Sequence, residues 1–286
     1  MITTPMTIAE ALRWATQQLT KSESAKLDAE VLLAHIVERD RTYLITWPDR
    51  LLEAAQQEQF AELIKQREHG VPVAHLVGQR EFWSLPLTVN NSTLIPRPDT
   101  EVLVEHALSL ALPVESKVLD LGTGTGAIAL ALKSSRPTWQ VTAVDKMSEA
   151  VALAQQNAAN LTLDLTVKQS DWFAAIEPQQ KFDLIVSNPP YIDASDPHLE
   201  QGDVRFEPKS ALVAANEGLS DIDTIITGAT NHLELQGWLL IEHGWKQGEA
   251  VRDLMQRARF NAVTTIRDYA NLERVTLGQW SNANGQ

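Results

Sequence analysis

Val118-Leu119-Asp120-Leu121-Gly122-Thr123-Gly124-Thr125-Gly126 is a short apolar run that breaks into a glycine-rich turn, and the helical stretch Ile128 to Lys133 follows it. A strand, a tight turn and a helix in that order form the opening half of a βαβ unit. The same alternation repeats downstream. Val141 to Val144 is the next strand, and a helix opens near Ser148, a good N-cap residue with Glu149 in the first turn. Leu165 to Val167, Leu184 to Val186 and Leu239 to Ile241 supply further strands, with helices near 220–234 and 247–258. These runs are continuously apolar rather than alternating, which suits strands buried on both faces. The expected body is therefore an α/β domain with a mostly parallel sheet covered by helices. Segments near 261–267 and 274–280 are expected to close one edge as an antiparallel pair.

Upstream of this body the period changes. Residues 7 to about 68 read as helices: Ile8, Leu12, Ala15 and Leu19 recur at helical spacing, as do Phe60, Leu63 and Ile64. Leu27, Val31 and His35, with Leu32 and Ile36, mark another apolar face. Pro48 separates the first two helices from a third, and Gly70 and Pro72 end the pattern. Phe82, Leu85, Leu87 and Val89 then favour strand, but Pro86 interrupts them, as in an edge hairpin. The expected organisation is a helical domain over 1–72, a hairpin connector over 73–92 and the α/β domain over 93–286. The polar tail from Ser281 to Gln286 is expected to fray.

Composition narrows the function. The chain has 286 residues, with 24 Lys and Arg against 37 Asp and Glu, a formal charge of −13. Such acidity disfavours a protein that grips nucleic acid through its phosphates. Zero cysteines exclude disulfides, thiolate nucleophiles and Cys-ligated metals. The first residues, Met1-Ile2-Thr3-Thr4-Pro5, have neither the basic start nor the apolar run of a signal peptide. The apolar stretch Ala127 to Leu132 is far short of the ~20 residues a membrane span requires. A soluble, cytoplasmic protein with no membrane partner is expected. The seven histidines show no metal-ligand spacing, and no metal is expected.

Ligands of open α/β sheets bind beyond the carboxyl ends of the strands. Four consecutive strands here end in Asp120-Leu121-Gly122, Asp145, Asp171-Trp172 and Asn188-Pro189-Pro190-Tyr191. Their coincidence on one rim is the strongest functional signal in the chain. Gly122, Gly124 and Gly126 permit close backbone approach, and the helix after them offers free N–H groups. Taken alone, that loop serves equally as a tight structural turn. The third glycine also comes one residue earlier than in a dinucleotide loop. Asp145, about 20 residues on, is placed to accept both hydroxyls of a ribose, which tips the balance toward a nucleoside-containing cofactor. Asp171 is a candidate for an adenine amino group and Trp172 for one face of its ring, although a lone Trp is more often a core aromatic.

Asn188-Pro189-Pro190-Tyr191 is more specific. Two successive prolines donate no N–H groups, so their carbonyls remain free, in directions fixed by the rings. With the Asn188 side-chain oxygen they could hold an NH₂ group by both hydrogens, while Tyr191 walls a planar amide or base.

At this point the chain resembles a known group of enzymes. Asp120 through Gly126, Asp145 and Asn188 through Tyr191 look like the class I S-adenosylmethionine-dependent amino-methyltransferases. Further segments resemble one family among them, the bacterial peptide chain release factor N5-glutamine methyltransferases. These are Arg80-Glu81-Phe82-Trp83-Ser84-Leu85-Pro86-Leu87, Ile95-Pro96-Arg97-Pro98-Asp99-Thr100-Glu101, Asp196-Pro197-His198-Leu199, Gly202-Asp203-Val204-Arg205-Phe206-Glu207-Pro208 and Ile241-Glu242-His243-Gly244. The Asn-Pro-Pro-Tyr segment alone is shared with DNA adenine-N6 and cytosine-N4 methyltransferases, so the other segments carry the finer assignment. The stretch from Pro96 to Thr100 argues against the closest rival, the enzymes that methylate a glutamine of ribosomal protein L3.

The resemblance implies a Rossmann-like, seven-stranded class I methyltransferase fold with an N-terminal helical domain for substrate recognition. It implies S-adenosylmethionine as cofactor, held by Gly122, Thr123, Gly124, Thr125, Gly126, Asp145, Trp172 and Asn188. It also implies substrate contacts from Asn188, Pro189, Pro190 and Tyr191. The target is then the glutamine of the Gly-Gly-Gln loop in class 1 release factors, with no direct nucleic-acid partner. The enzyme is expected to act as a monomer, since no self-association stripe appears. Asn188 Oδ1 and the Pro189 carbonyl are the expected acceptors for the target amide. Glu242 and His243 could take its proton or serve the structure. Arg97 could recognise substrate or form an ion pair.

Overall fold

A computed structural model describes residues 5–281. The expectation for the tail concerns 282–286 as well, which lie outside the described residues. The chain divides into two compact units: one runs to Gln79 and includes Glu200–Phe206, and the other comprises Arg80–Leu199 and the chain from Glu207 onward.

The first unit is a helical bundle of α1 (Ile8–Gln18), α2 (Ala25–Val37), α3 (Arg41–Thr46), α4 (Ala54–Glu68) and α5 (Val73–Val77). α1 starts on a reciprocal cap. The Glu10 N–H donates to Thr7 Oγ1 at 3.2 Å, and the Thr7 N–H donates to Glu10 Oε2 at 2.8 Å. Ile8, Ala11 and Ala15 pack against Leu32, Leu33, Phe60 and Ile64. The buried face of α2 differs from the expected one, because Leu27 is 44% exposed and His35 lies at the surface. Leu32 is buried as expected and Ile36 packs against the same core, but Ala29 and Leu33 take the inward places given to Leu27 and His35. The cause is Asp28, which turns inward to accept from Arg67 Nε at 2.8 Å and from the hydroxyls of Ser22 and Ser24. Arg67 also donates from Nη1 to Asp203 Oδ1 at 2.9 Å, holding the returning segment 200–206 on the bundle.

The second unit begins with a hairpin, β1 (Gln79–Phe82) and β2 (Leu85–Thr88), as expected of the Pro86 segment. Its two-residue turn places Trp83 and Ser84 at φ of 53° and 59°, a left-handed pair that usually calls for Asn-Gly. Trp83 is held there by its backbone N–H to Glu101 Oε1 and its indole N–H to Ser135 Oγ, both at 2.9 Å.

The main sheet has seven strands: β3 (Lys117–Leu121), β4 (Gln140–Asp145), β5 (Thr166–Gln169), β6 (Phe182–Ser187), β7 (Leu233–Glu242), β8 (Phe260–Arg267) and β9 (Glu273–Trp280). Their order is β5-β4-β3-β6-β7-β9-β8. All neighbours from β5 to β7 pair in parallel, while β9 is antiparallel to both β7 and β8. The sheet is covered on both faces, so alternate residues of one strand feed separate cores. Val118, Leu184 and Val186 join the core of α6 (Glu101–Ser109), α7 (Ala127–Ser135) and α8 (Ser148–Leu161). Leu119, Leu121 and Ile185 join that of α10 (Ser220–Ala229) and α11 (Gly248–Arg257), with the single turn α9 (Ala215–Gly218) preceding α10. Ser148 is not the cap of α8 but its first residue. Met147 takes the cap position with its N–H donating to Asp145 Oδ1 at 2.9 Å, while the Ser148 hydroxyl donates to Glu149 Oε2 at 2.9 Å. Among the described residues no helix is long and apolar enough to cross a membrane.

Candidate active site

From β3 the chain builds outward through β4 to β5, then crosses back to place β6 on the other side of β3, so the rim at β3 is the switch point where such sheets open a crevice. A cavity of ≈ 310 Å³ lies there, bounded by the carboxyl ends of β5, β4, β3 and β6. Gly122, Thr123, Gly124, Thr125, Asp145, Asp171, Trp172, Asn188 and Pro190 all line it. The four strand ends thus deliver their residues to one space.

Gly122 sits at φ 70°, and a Cβ there would stand 3.3 Å from Trp172 Cζ3, so the indole lies against bare backbone. Gly126 does not line the cavity. At φ 84° it lets α7 approach α8, with a Cβ position 3.1 Å from Leu130 Cδ1 and 3.3 Å from Ala154 Cβ. Its reason is packing. Asp145 accepts from the Gly124 N–H through Oδ2 and from the Met147 N–H through Oδ1, both at 2.9 Å. Burial raises its pKa against these backbone bonds. Each oxygen keeps a further lone pair, enough to accept a diol.

Asp171 pairs with Lys146 at 2.8 Å, and both side chains are more than half exposed. Trp172 adopts φ 48°, an unusual conformation for a bulky residue. Ser170 stabilises it by donating to the Trp172 carbonyl at 2.7 Å and accepting from the Ala175 N–H at 2.9 Å. The Gly loop has a similar support in Asn157, which is 1% exposed. Its Nδ2 donates to the Thr125 and Thr88 carbonyls at 2.9 and 3.0 Å, and its Oδ1 accepts from the Thr88 N–H. Asp120 is fully buried, and burial pushes its carboxyl up to about 7 while Thr123 Oγ1 donates to Oδ2 at 2.6 Å.

At the opposite end, Asn188 Nδ2 donates to Thr100 Oγ1 at 3.2 Å, which leaves Oδ1 as the free end of that carboxamide. Pro189 and Tyr191 do not line the cavity. The Tyr191 hydroxyl donates to Glu242 Oε1 at 3.4 Å, burial raising the phenol pKa, and the Tyr191 carbonyl accepts from Gln247 Nε2 at 3.0 Å. Of the two roles expected for Arg97, the structure shows the ion pair. Arg97 lines the cavity, and its Nη2 donates to Glu207 Oε2 at 2.6 Å, while Glu207 Oε1 accepts from the Ile95 N–H at 2.9 Å. Neither Glu242 nor His243 lines the cavity. His243 is wholly buried with Nδ1 on the Gly244 carbonyl and Nε2 on Thr276 Oγ1, and burial lowers its pKa, so it is a neutral structural imidazole. Thr93, Leu94 and Thr100 also line the cavity, and the sequence signal for Thr100 lay within the Ile95–Glu101 segment.

A βαβ sheet of this strand order, with a glycine loop, an acidic β4 terminus and Asn188-Pro189-Pro190-Tyr191 on one rim, defines a class I methyltransferase. The PrmC N-terminal domain matches residues 10–78, and the methyltransferase small domain matches residues 98–203. Release factor glutamine methyltransferase of Shewanella oneidensis is 55% identical over 275 residues, 96% of each chain. That of Escherichia coli (strain K12) is 54% identical over 94% of this chain and 97% of its own. Among solved structures, a methyltransferase from Pyrococcus furiosus aligns at a TM-score of 0.54 with 15% identity, covering 80% of this chain and all of that one. The hMettl16 catalytic domain aligns at 0.57 with 14% identity, covering 82% and 86%. The chain belongs to the release factor glutamine methyltransferase family.

Proposed function

We propose that this chain transfers a methyl group from S-adenosylmethionine to the side-chain amide nitrogen of the glutamine in the Gly-Gly-Gln loop of class 1 release factors, acting as a cytoplasmic monomer. The observation that carries this reading is Asn188 Oδ1 at the cavity wall, the carboxamide being oriented by one N–H of its NH₂ donating to Thr100 Oγ1. When bound, the cofactor supplies an electrophilic methyl group. Its holders would be Gly122 through Thr125, Asp145 for the ribose, Asp171 and Trp172 for the adenine, and Asn188. The residues fit such a group: Gly122 presents bare backbone, Asp145 a carboxylate with spare lone pairs, and Met147, Ala150 and Ile128 an apolar floor.

The chain's own task is set by the weakness of a primary amide as a nucleophile, since its lone pair is delocalised into the carbonyl. Asn188 Oδ1 at the cavity wall accepts from one N–H, and the Pro189 carbonyl, from a residue set behind that wall, is assigned the other; together they aim the lone pair. Alignment of this kind lowers a barrier by about 7–11 kcal/mol, whereas one general base contributes about 10²–10⁴-fold, so positioning is the larger effect.

The test is methyl transfer from labelled cofactor to purified release factor, with ribosomal protein L3 and duplex DNA as alternative acceptors. Label on the release factor glutamine alone is expected. Label on L3 or DNA with none on the release factor overturns the reading.

A further inference from the structure

Pro189 and Pro190 carry no N–H, so the Asn188–Tyr191 bend cannot be anchored by donors in its middle and must be held at its ends. The Asn188 end rests on Thr100 Oγ1. At the other end the Ile192 N–H donates to the Leu212 carbonyl at 2.9 Å, and the Gln247 side chain reaches the residue before it. Gln247 Nε2 donates to the Tyr191 carbonyl at 3.0 Å and to the Glu217 carbonyl at 2.9 Å, while Gln247 Oε1 accepts from the Gly244 N–H at 2.8 Å. One carboxamide thus joins three backbone segments: the bend that follows β6, the turn α9 and the chain leaving β7. Its sense is fixed by its partners, because a half-turn would set NH₂ against an N–H and the oxygen against two carbonyls.

The surroundings are shaped to this contact. Gly218 is buried at φ 81°, and a Cβ there would stand 2.6 Å from the Tyr191 carbonyl carbon and 2.7 Å from Gln247 Nε2. Asn216 and Glu217 both adopt φ 56°, a left-handed pair that side chains disfavour, and that turn brings the Glu217 carbonyl to Gln247. Gly244 packs on the other side, with a Cβ position 3.0 Å from Gln247 Oε1 and 3.7 Å from Tyr191 Cδ2. Gln247 is also the N-cap residue of α11, where a side chain ordinarily caps the helix, yet its side chain makes no such bond. Its polar atoms go to the bend instead. We infer that Gln247 is a positioning residue that fixes the far end of the Asn188–Tyr191 bend, and so the directions in which the bend meets the target amide. The inference rests on the reading of that bend as the acceptor of the amide. Gln247 does not line the cavity and forms no bond to the reacting atoms.

The test compares Gln247→Glu, Gln247→Met and Asn188→Ala in methyl transfer to release factor at about pH 8, where a glutamate side chain is ionised. Gln247→Glu keeps the length and the acceptor for the Gly244 N–H, and it places a favourable negative charge at the start of α11. It has no proton for the Tyr191 and Glu217 carbonyls. It should lower kcat by about 10- to 100-fold, with melting temperature retained. KM for release factor and Kd for S-adenosylhomocysteine should stay within about threefold. Gln247→Met loses all three bonds, so it should slow turnover at least as much and melt at a lower temperature. Adding Gln247→Glu to Asn188→Ala should cost less than it does in the wild type, because both act through one bend.

A residue that serves only α11 predicts full kcat in Gln247→Glu, and that result overturns the inference. So does a rate loss that merely tracks lost affinity for S-adenosylhomocysteine. Should Gln247→Glu fail to fold, Gln247→Met is judged by the same readings. Should both fail, the wild-type protein decides: the Gln247 NH₂ protons should exchange at least about 10-fold more slowly than those of a free glutamine amide, and equal exchange is fatal. Full activity in Asn188→Ala removes the acceptor reading, and the inference with it. An inactive Asn188→Ala beside an unimpaired Gln247→Glu overturns the inference alone.

Discussion

Asp145 offers the sharpest separation between holding the fold and holding the cofactor. Its carboxylate accepts from the backbone N–H groups of Gly124 and Met147, yet its pKa is raised, because burial outweighs those bonds. The apo fold therefore holds the charged form less well than water does, and a carboxylate kept there at a cost to stability is the mark of a functional group. Asp145→Ala frees two N–H groups, but both face a cavity that water can enter, so apo stability should change by no more than about 1 kcal/mol. The cofactor loses a charged acceptor for its ribose, worth about 1.5–3 kcal/mol, or roughly 10- to 150-fold in Kd. Titration calorimetry with S-adenosylhomocysteine reads the affinity, and calorimetric melting of the ligand-free protein reads the stability. Wild-type affinity should also weaken as the pH falls through the raised Asp145 pKa, since protonation removes an acceptor, and the variant should lose that slope. Binding within about twofold of wild type, with the slope intact, would remove Asp145 from the ribose.

Gly126→Ala puts a Cβ 3.1 Å from Leu130 and 3.3 Å from Ala154 at a left-handed φ, so it should cost about 1–3 kcal/mol, a drop of roughly 2–4 °C in Tm per kcal/mol. Arg67→Met leaves Asp28, 6% exposed, with only serine hydroxyls, and removes the partner of Asp203. The bundle should lose up to about 3–5 kcal/mol, and amides of 200–206 should exchange faster with deuterium; unchanged exchange would refute the tether. Asp120 and Glu242 both have carboxyls raised to about 7, so the folded state holds protons that the unfolded state releases at lower pH. Their penalty is absent below the ordinary carboxylate range and complete above about pH 7, so ligand-free stability should fall as pH rises between those limits. Asp120→Asn and Glu242→Gln should each flatten that dependence; a profile unaltered in both variants refutes the assignment.

The parallel sheet was legible because each of its inner strands is a run of apolar residues punctuated by glycine or aspartate, a pattern that depends only on neighbours in sequence. The rim was legible for the same reason: the residues that end a strand are adjacent to it. On α2 the periodicity places Leu32 correctly but not Leu27 and His35, because Asp28 turns inward for Arg67, 39 residues away. The supports of the site were invisible for a related cause. Asn157 links residues 88 and 125, Ser170 braces Trp172 from two positions back, and Thr100 reaches Asn188 across 88 residues. None of these polar residues differs in type from a surface residue until the fold buries it.

The same distinction explains how the site can work with so few polar groups. A methyl transfer to an amide needs no covalent intermediate on the enzyme, so the chain supplies directions rather than reactive side chains. Directions must be rigid. Trp172 at φ 48° and glycines at φ 70° and 84° are conformations a free chain avoids, and the two prolines fix the backbone directly after Asn188. The cost of each is met by bonds behind it: Ser170 for Trp172, Asn157 for the Gly loop, and Thr100 for Asn188. Variants of these hidden supports should therefore change rate or affinity without touching a ligand. The discriminating pair is Ser170→Ala and Asn157→Ala: both should weaken cofactor binding, while Thr100→Val spares binding and slows turnover, because it supports the other end of the cavity.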